Sequence, residues 1–195
     1  MENKLPIYQL LIDDSDFDNT KVNYVALVDM PAIESNWIAF AEQSKAKQFE
    51  FDTEKQIISG ALMIPNKLIY RNDANGEYYC LFSAEEIFKI VKKFHRNLYG
   101  NNVNIMHNAK QKVDGVYMIE NFIIDSKRGI TAPYGMDLPD GTWFGTYKVD
   151  NAEVWTDIKE GKFKGFSVEG MFYELFNGAA RLSVIEQLEK ILNCN

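Results

Sequence analysis

The stretch Gly165-Phe-Ser-Val-Glu-Gly-Met-Phe-Tyr-Glu-Leu175 carries the reading of the whole chain. It begins as a GxSxG nucleophile elbow begins, but Glu169 stands where the second glycine belongs. Aromatic residues follow where an elbow needs a helix, so a strand is predicted over 164–176. Alternation on that strand puts Phe166, Val168 and Met171 toward one face and Ser167 and Glu169 toward the other. Gly165 and Gly170 leave room for a backbone or a substrate to come close. A doubly wound hydrolase sheet is excluded, and the fold must be built around a serine inside a strand.

Outward from there, β-branched and aromatic runs bounded by turn residues predict strands at 5–12, 21–29, 48–53, 55–64, 102–107, 113–125 and 142–149. Asn75-Gly76 predicts a hairpin between 67–71 and 77–82. Residues 30–41 hold Pro31 and then alternating apolar positions. Ser83-Ala-Glu-Glu86 reads as a capping box opening a helix over 84–98, with Ile87, Phe88, Val91, Phe94 and Leu98 as its buried stripe. Lys92 and Lys93, with His95 and Arg96, read as its wet face. Asp150-Asn-Ala-Glu153 predicts a second helix to about 160, stopped by Gly161. A third, amphipathic helix is predicted over 179–193 and suits either packing on its own core or a homodimer face. The expectation is an α+β fold, a β-rich barrel-like core of short, mostly antiparallel strands with about three flanking helices. One domain spans 1–195, with strands 1–41 in the same barrel and 42–47 a weak linker.

Composition narrows the functional classes. The chain is 195 residues long and 46% hydrophobic, ample for a core, which excludes a disordered or low-complexity chain. Its net charge of −7 argues against a nucleic-acid partner held through phosphates. No apolar run is long enough for a membrane helix, and Met1-Glu-Asn-Lys lacks the pattern of a signal peptide, so neither membrane nor export is expected. Cys80 and Cys194 read as free thiols. The aspartate-rich loop 13–20 lacks the glycine and distal glutamate of a calcium loop and reads as a solvated turn. Walker A, GxGxxG, HExxH and CxxC motifs are all absent, so no cofactor and no metal are expected.

Two histidines remain. His95 sits mid-helix among basic residues; His107 ends the strand of Val103-Asn-Ile-Met-His107. A serine hydroxyl needs a general base near neutrality within hydrogen-bond reach, and an imidazole supplies one. Ser167 and His107 are therefore the candidate nucleophile and base. Residue type and spacing alone leave this pairing open beside the plainer one of a strand serine and a surface histidine.

Ile58-Ser-Gly-Ala-Leu-Met-Ile-Pro65, the strand end at His107, Glu120-Asn-Phe-Ile-Ile-Asp125 and Gly165-Phe-Ser together resemble the phage prohead (capsid maturation) serine proteases. Those share their fold with the herpesvirus assemblin proteases. The resemblance runs from about Ile57 to Phe172, with the histidine preceding a strand serine as in that family. Val25-Ala-Leu-Val-Asp-Met-Pro-Ala32 resembles a segment, E-V-S-L-V-x-x-P-A, that follows the serine in the family. Its place near the N-terminus here resembles the circularly permuted branch of phage proteases. The resemblance implies a herpesvirus-protease-like fold and a serine endopeptidase using Ser167 and His107 without a cofactor. It implies scaffold and capsid proteins as substrates, inside the assembling prohead in the host cytoplasm. In the usual arrangement the acid opening the E-V-S-L-V segment orients the histidine; Tyr24 stands there in this chain. Asp29, Glu120 and Glu169 are the substitutes, with Glu169 read rather as shaping the cleft because it shares a strand face with Ser167. The departure at Tyr24 leaves a second reading, an inactive capsid-assembly or virion protein that keeps the fold. A third is a binding module using Trp37, Trp143 and Trp155 as surface anchors.

Overall fold

The computed structural model describes residues 5–15, 19–31, 49–52, 55–74, 76–108 and 112–176. The apolar runs form strands β1 (Ile7–Leu11), β2 (Lys21–Val28), β3 (Phe49–Asp52), β4 (Ile57–Met63), β5 (Ile69–Asp73), β6 (Gly76–Leu81), β7 (Val103–Ile105), β8 (Val116–Ile123), β9 (Trp143–Val149), β10 (Gly165–Met171) and β11 (Tyr173–Phe176). Helices α1 (Ala84–Arg96) and α2 (Ala152–Lys159) fall where the capping residues predict them. The expected third helix and its dimer face, the linker at 42–47, Trp37 and Cys194 lie outside the described residues.

The α+β class holds; the barrel does not. The described strands form three open sheets, ordered β11-β1-β6-β5, β10-β2-β7 and β3-β4-β9-β8. The strand predicted over 164–176 divides at Phe172: β10 pairs antiparallel with β2, and β11 pairs antiparallel with β1. Two sheets thus share one bent ribbon, while their outer edges are not hydrogen-bonded to each other. Side-chain alternation specifies which face of a strand is buried, but says nothing about which edges meet.

The core is aromatic. Trp143, Tyr147, Phe94 and Phe166 are fully buried or nearly so, with Phe94 edge-on to Trp143 at 5.1 Å between ring centres. Trp155 is buried as well, so neither of the two described tryptophans serves as a surface anchor. Their large apolar area is worth more under the sheets than in water.

Helix α1 corrects two expectations. Ser83 caps it by accepting from the Glu86 amide, but the Glu86 carboxylate does not close the box. It instead accepts from Ile12 N at 2.8 Å and pairs with Lys89, tying the end of β1 to the helix. The buried stripe runs through Glu86, Ile87, Ile90, Lys93 and Phe94, leaving Phe88 and Leu98 exposed. Lys93, expected in water, is fully buried and donates to the carbonyls of Asp13 and Thr20. Those carbonyls flank the acidic loop, outside β1 and β2, so the buried ammonium meets backbone acceptors that helical periodicity cannot reveal. At α2 the cap is Asn151, accepting from Val154 N, rather than Asp150.

Candidate active site

Strand β2 is the middle of the site. It lies between β10, which carries Ser167, and β7, which leads into His107. Ser167 is in register with Ala26, and Ala26 with Asn104. A hydroxyl, a methyl and an amide thus stand in one row on one face of the sheet.

The chain turns sharply after β7. Met106 and His107 both adopt left-handed backbone, with φ of 52° and 57°, and Asn108 N donates to Ile105 O at 3.0 Å. Two positive φ values inside an i to i+3 hydrogen bond are the pattern of a type I′ turn, where glycine and asparagine are normally found. Met106 N also donates to Leu27 O at 3.0 Å, so the turn is anchored on β2. Left-handed backbone costs a side-chain-bearing residue about 1–2 kcal/mol. Met106→Gly is therefore expected to raise stability by up to about 1 kcal/mol, part of the relief being offset by the flexibility of glycine when unfolded. Chemical denaturation at constant m-value checks it.

Glu169 reaches across β2. Its Oε2 accepts from Asn104 Nδ2 at 2.8 Å and lies 3.6 Å from His107 Nδ1. The histidine side chain is 45% exposed and the glutamate 29%, so this pair contributes under about 1 kcal/mol to stability. Asn104 is fully buried, and among the described residues its Oδ1 has no hydrogen-bond partner. Such an orphan costs about 1–3 kcal/mol.

A bulge sets this reach. Glu169 pairs with Tyr24 but Gly170 pairs with Val22, leaving Asn23 as the extra residue, its carbonyl held by Asn102 Nδ2 at 3.0 Å. Bulges re-aim neighbouring side chains. Gly170 is required here because a Cβ would fall 2.2 Å from Lys21 O and 2.9 Å from Val22 Cα. Backbone cannot step aside as a side chain tip can. Gly170→Ala is expected to cost about 1–3 kcal/mol, read as a melting temperature lowered by roughly 2–4 °C per kcal/mol.

Ser167, Glu169 and His107 border one groove of about 900 Å³, with apolar walls that include Leu62, Met63 and Phe82. Ser167 is only 4% exposed. Among the described residues no hydrogen bond joins its Oγ to His107; the two groups face the groove separately. The Cys80 thiol lines the same groove, but burial pushes its pKa up and keeps it protonated, which removes it as a competing nucleophile.

The other candidates are elsewhere. The Asp29 carboxylate accepts from Met30 N at 2.8 Å. Glu120 is exposed on β8, opposite Thr146 in another sheet. His95 Nε2 pairs with Asn121 Oδ1 at 2.8 Å, away from the groove lining. Of the three substitute acids only Glu169 comes within ion-pair distance of the imidazole, and it also lines the groove. Tyr24, where the resemblance places the acid, is its cross-strand neighbour. Sequence reasoning missed Asn104; an asparagine inside the apolar run 103–106 was the available sign. Among the described residues no cluster of three or more metal-ligating side chains occurs, and no helix is long and apolar enough to cross a membrane.

A strand serine, an imidazole at a strand end and a carboxylate beside that imidazole are the parts a serine-type hydrolase uses. The chain belongs to the family described as "Putative phage serine protease XkdF", whose model matches residues 46–174. Residues 1–45, which supply β1 and β2, lie outside that match, although β2 joins the serine strand to the histidine strand. Neither a curated protein nor a solved structure matches this chain.

Proposed function

We propose that this chain is a serine endopeptidase of phage head maturation, cleaving scaffold or capsid-protein segments inside the assembling prohead in the host cytoplasm. His107 Nε2 takes the proton of Ser167 Oγ as the hydroxyl attacks the scissile carbonyl. The imidazolium then gives that proton to the leaving amine, and water, activated by the same imidazole, releases the acyl group from Ser167. Glu169, by approaching Nδ1, selects the tautomer that leaves Nε2 free to accept. The observation that carries this reading is the Glu169 carboxylate lying 3.6 Å from His107 Nδ1 on the same strand that brings Ser167 to the groove. Catalytic hydrogen bonds are often long before substrate is bound, so the separate serine and imidazole are compatible with it.

The competing reading is an inactive virion or capsid-assembly protein that keeps the fold, favoured by Tyr24 in the acid position and by the missing serine–imidazole hydrogen bond. Co-expression with the phage's scaffold and capsid proteins, followed by mass spectrometry of new protein termini, separates the two. Termini that vanish with Ser167→Ala support the peptidase; unchanged substrates bound to an intact chain support the structural protein.

A further inference from the structure

We infer that Asn104 is a positioning residue, holding the Glu169 carboxylate against His107. The inference rests on the reading of Glu169 as the group that orients the imidazole. Glu169 and Asn104 are on the two outer strands of the β10-β2-β7 sheet, so the 2.8 Å contact between them passes over β2. It passes where the in-register residue is Ala26, whose methyl leaves the path open. A longer side chain at 26 would stand between them. His107 lies just past Asn104 on the same strand and turn, so one amide and one imidazole from the β7 end converge on a single carboxylate oxygen, Glu169 Oε2.

The orphan Oδ1 gives the inference its weight. A fully buried asparagine whose Oδ1 meets no partner among the described residues is a poor choice for packing alone, since a leucine of similar size would carry no unpaired oxygen. What leucine lacks is the Nδ2 donor. With that donor a carboxylate rooted on another strand is fixed in direction; without it the partly exposed glutamate has several rotamers available. Asn104 touches neither nucleophile nor substrate in this account. It acts through Glu169.

The experiment uses the full chain carrying His95→Gln, which leaves one imidazole to observe. With the imidazole neutral, ¹⁵N spectra report which ring nitrogen carries the proton. The expected result is the Nδ1–H form in the parent, lost in Asn104→Leu as it is lost in Glu169→Ala. Asn104→Leu is also expected to melt no lower than the parent while labelling by a fluorophosphonate slows about 10- to 100-fold. Activity falling while stability holds is a combination that a merely structural asparagine would not produce. The double variant with Glu169→Ala should lose nothing further, because both changes remove one interaction. Should Asn104→Leu fail to fold, Asn104→Ala reads the same tautomer. An unchanged tautomer in the Asn104 variant, or losses that add in the double variant, would overturn the assignment. If the parent itself resists the fluorophosphonate, the peptidase reading falls, while the tautomer comparison still decides the role of Asn104.

Discussion

Ser167→Ala is expected to abolish covalent labelling by a fluorophosphonate and to lower peptide hydrolysis by about a million-fold, to the level left by binding alone. The size follows from what a nucleophile does: without Oγ no acyl intermediate forms, and an intact imidazole has nothing to activate. The fold should survive. Ser167 is in a ladder held by backbone bonds to β2, and among the described residues its Oγ makes no hydrogen bond that the change would break. Removing one oxygen there should move stability by less than about 1 kcal/mol. His107→Gln should fall nearly as far, and the double variant no further, because the two groups act as a unit. Intact-mass spectrometry of the labelled protein is the direct readout. Labelling that persists in Ser167→Ala would place the nucleophile elsewhere and end this account of the site.

Glu169→Gln is expected to lower kcat by about 100- to 10,000-fold, as loss of the orienting carboxylate does in serine triads. The lower end suits this site, where the pair is partly exposed and 3.6 Å apart. A gain-of-function experiment makes the test sharper. Tyr24 stands directly across from Glu169 on the neighbouring strand. Cβ atoms of such partners are about 4.5–5.5 Å apart, a distance that a glutamate side chain can span. Tyr24→Glu placed in the Glu169→Gln background is therefore expected to recover about ten-fold or more of the lost rate. Recovery would mean that the site requires a carboxylate at this place in space, whichever strand supplies it. Single-turnover kinetics on a labelled peptide would register it. No recovery, with both variants folded, would show that Glu169 acts through something other than its charge beside Nδ1.

The same strand pair explains why the approach of Glu169 to His107 was hard to read from the residues. On β10 alone, Glu169 is two positions from Ser167 and on its face, which argues for a cleft-lining role. The bulge that leaves Asn23 unpaired is a property of two strands together, and it depends on a glycine at 170 whose close neighbour is Lys21, distant in sequence. Lys93 shows the same limit from the other side. It sits beside another lysine on a helix, and its ammonium is buried against the carbonyls of a remote loop. In both cases the partner that the side chain meets is brought by the fold, and no local pattern contains it.

The order of the described strands and helices, the Ser83 cap of α1, the extended backbone around Ser167 and the two candidate side chains of the chemistry were all legible in the residues. Each of these depends on local backbone preference and on the period with which apolar groups recur, and a linear chain displays both. Sheet closure, the division of the last strand at Phe172, the row from Ser167 through Ala26 to Asn104, and the approach of Glu169, rather than Asp29 or Glu120, to His107 were decided only by tertiary structure. The physical reason is that backbone hydrogen bonds between strands are chemically alike at every residue. Which edges meet, and in what register, is settled by the burial of the whole core.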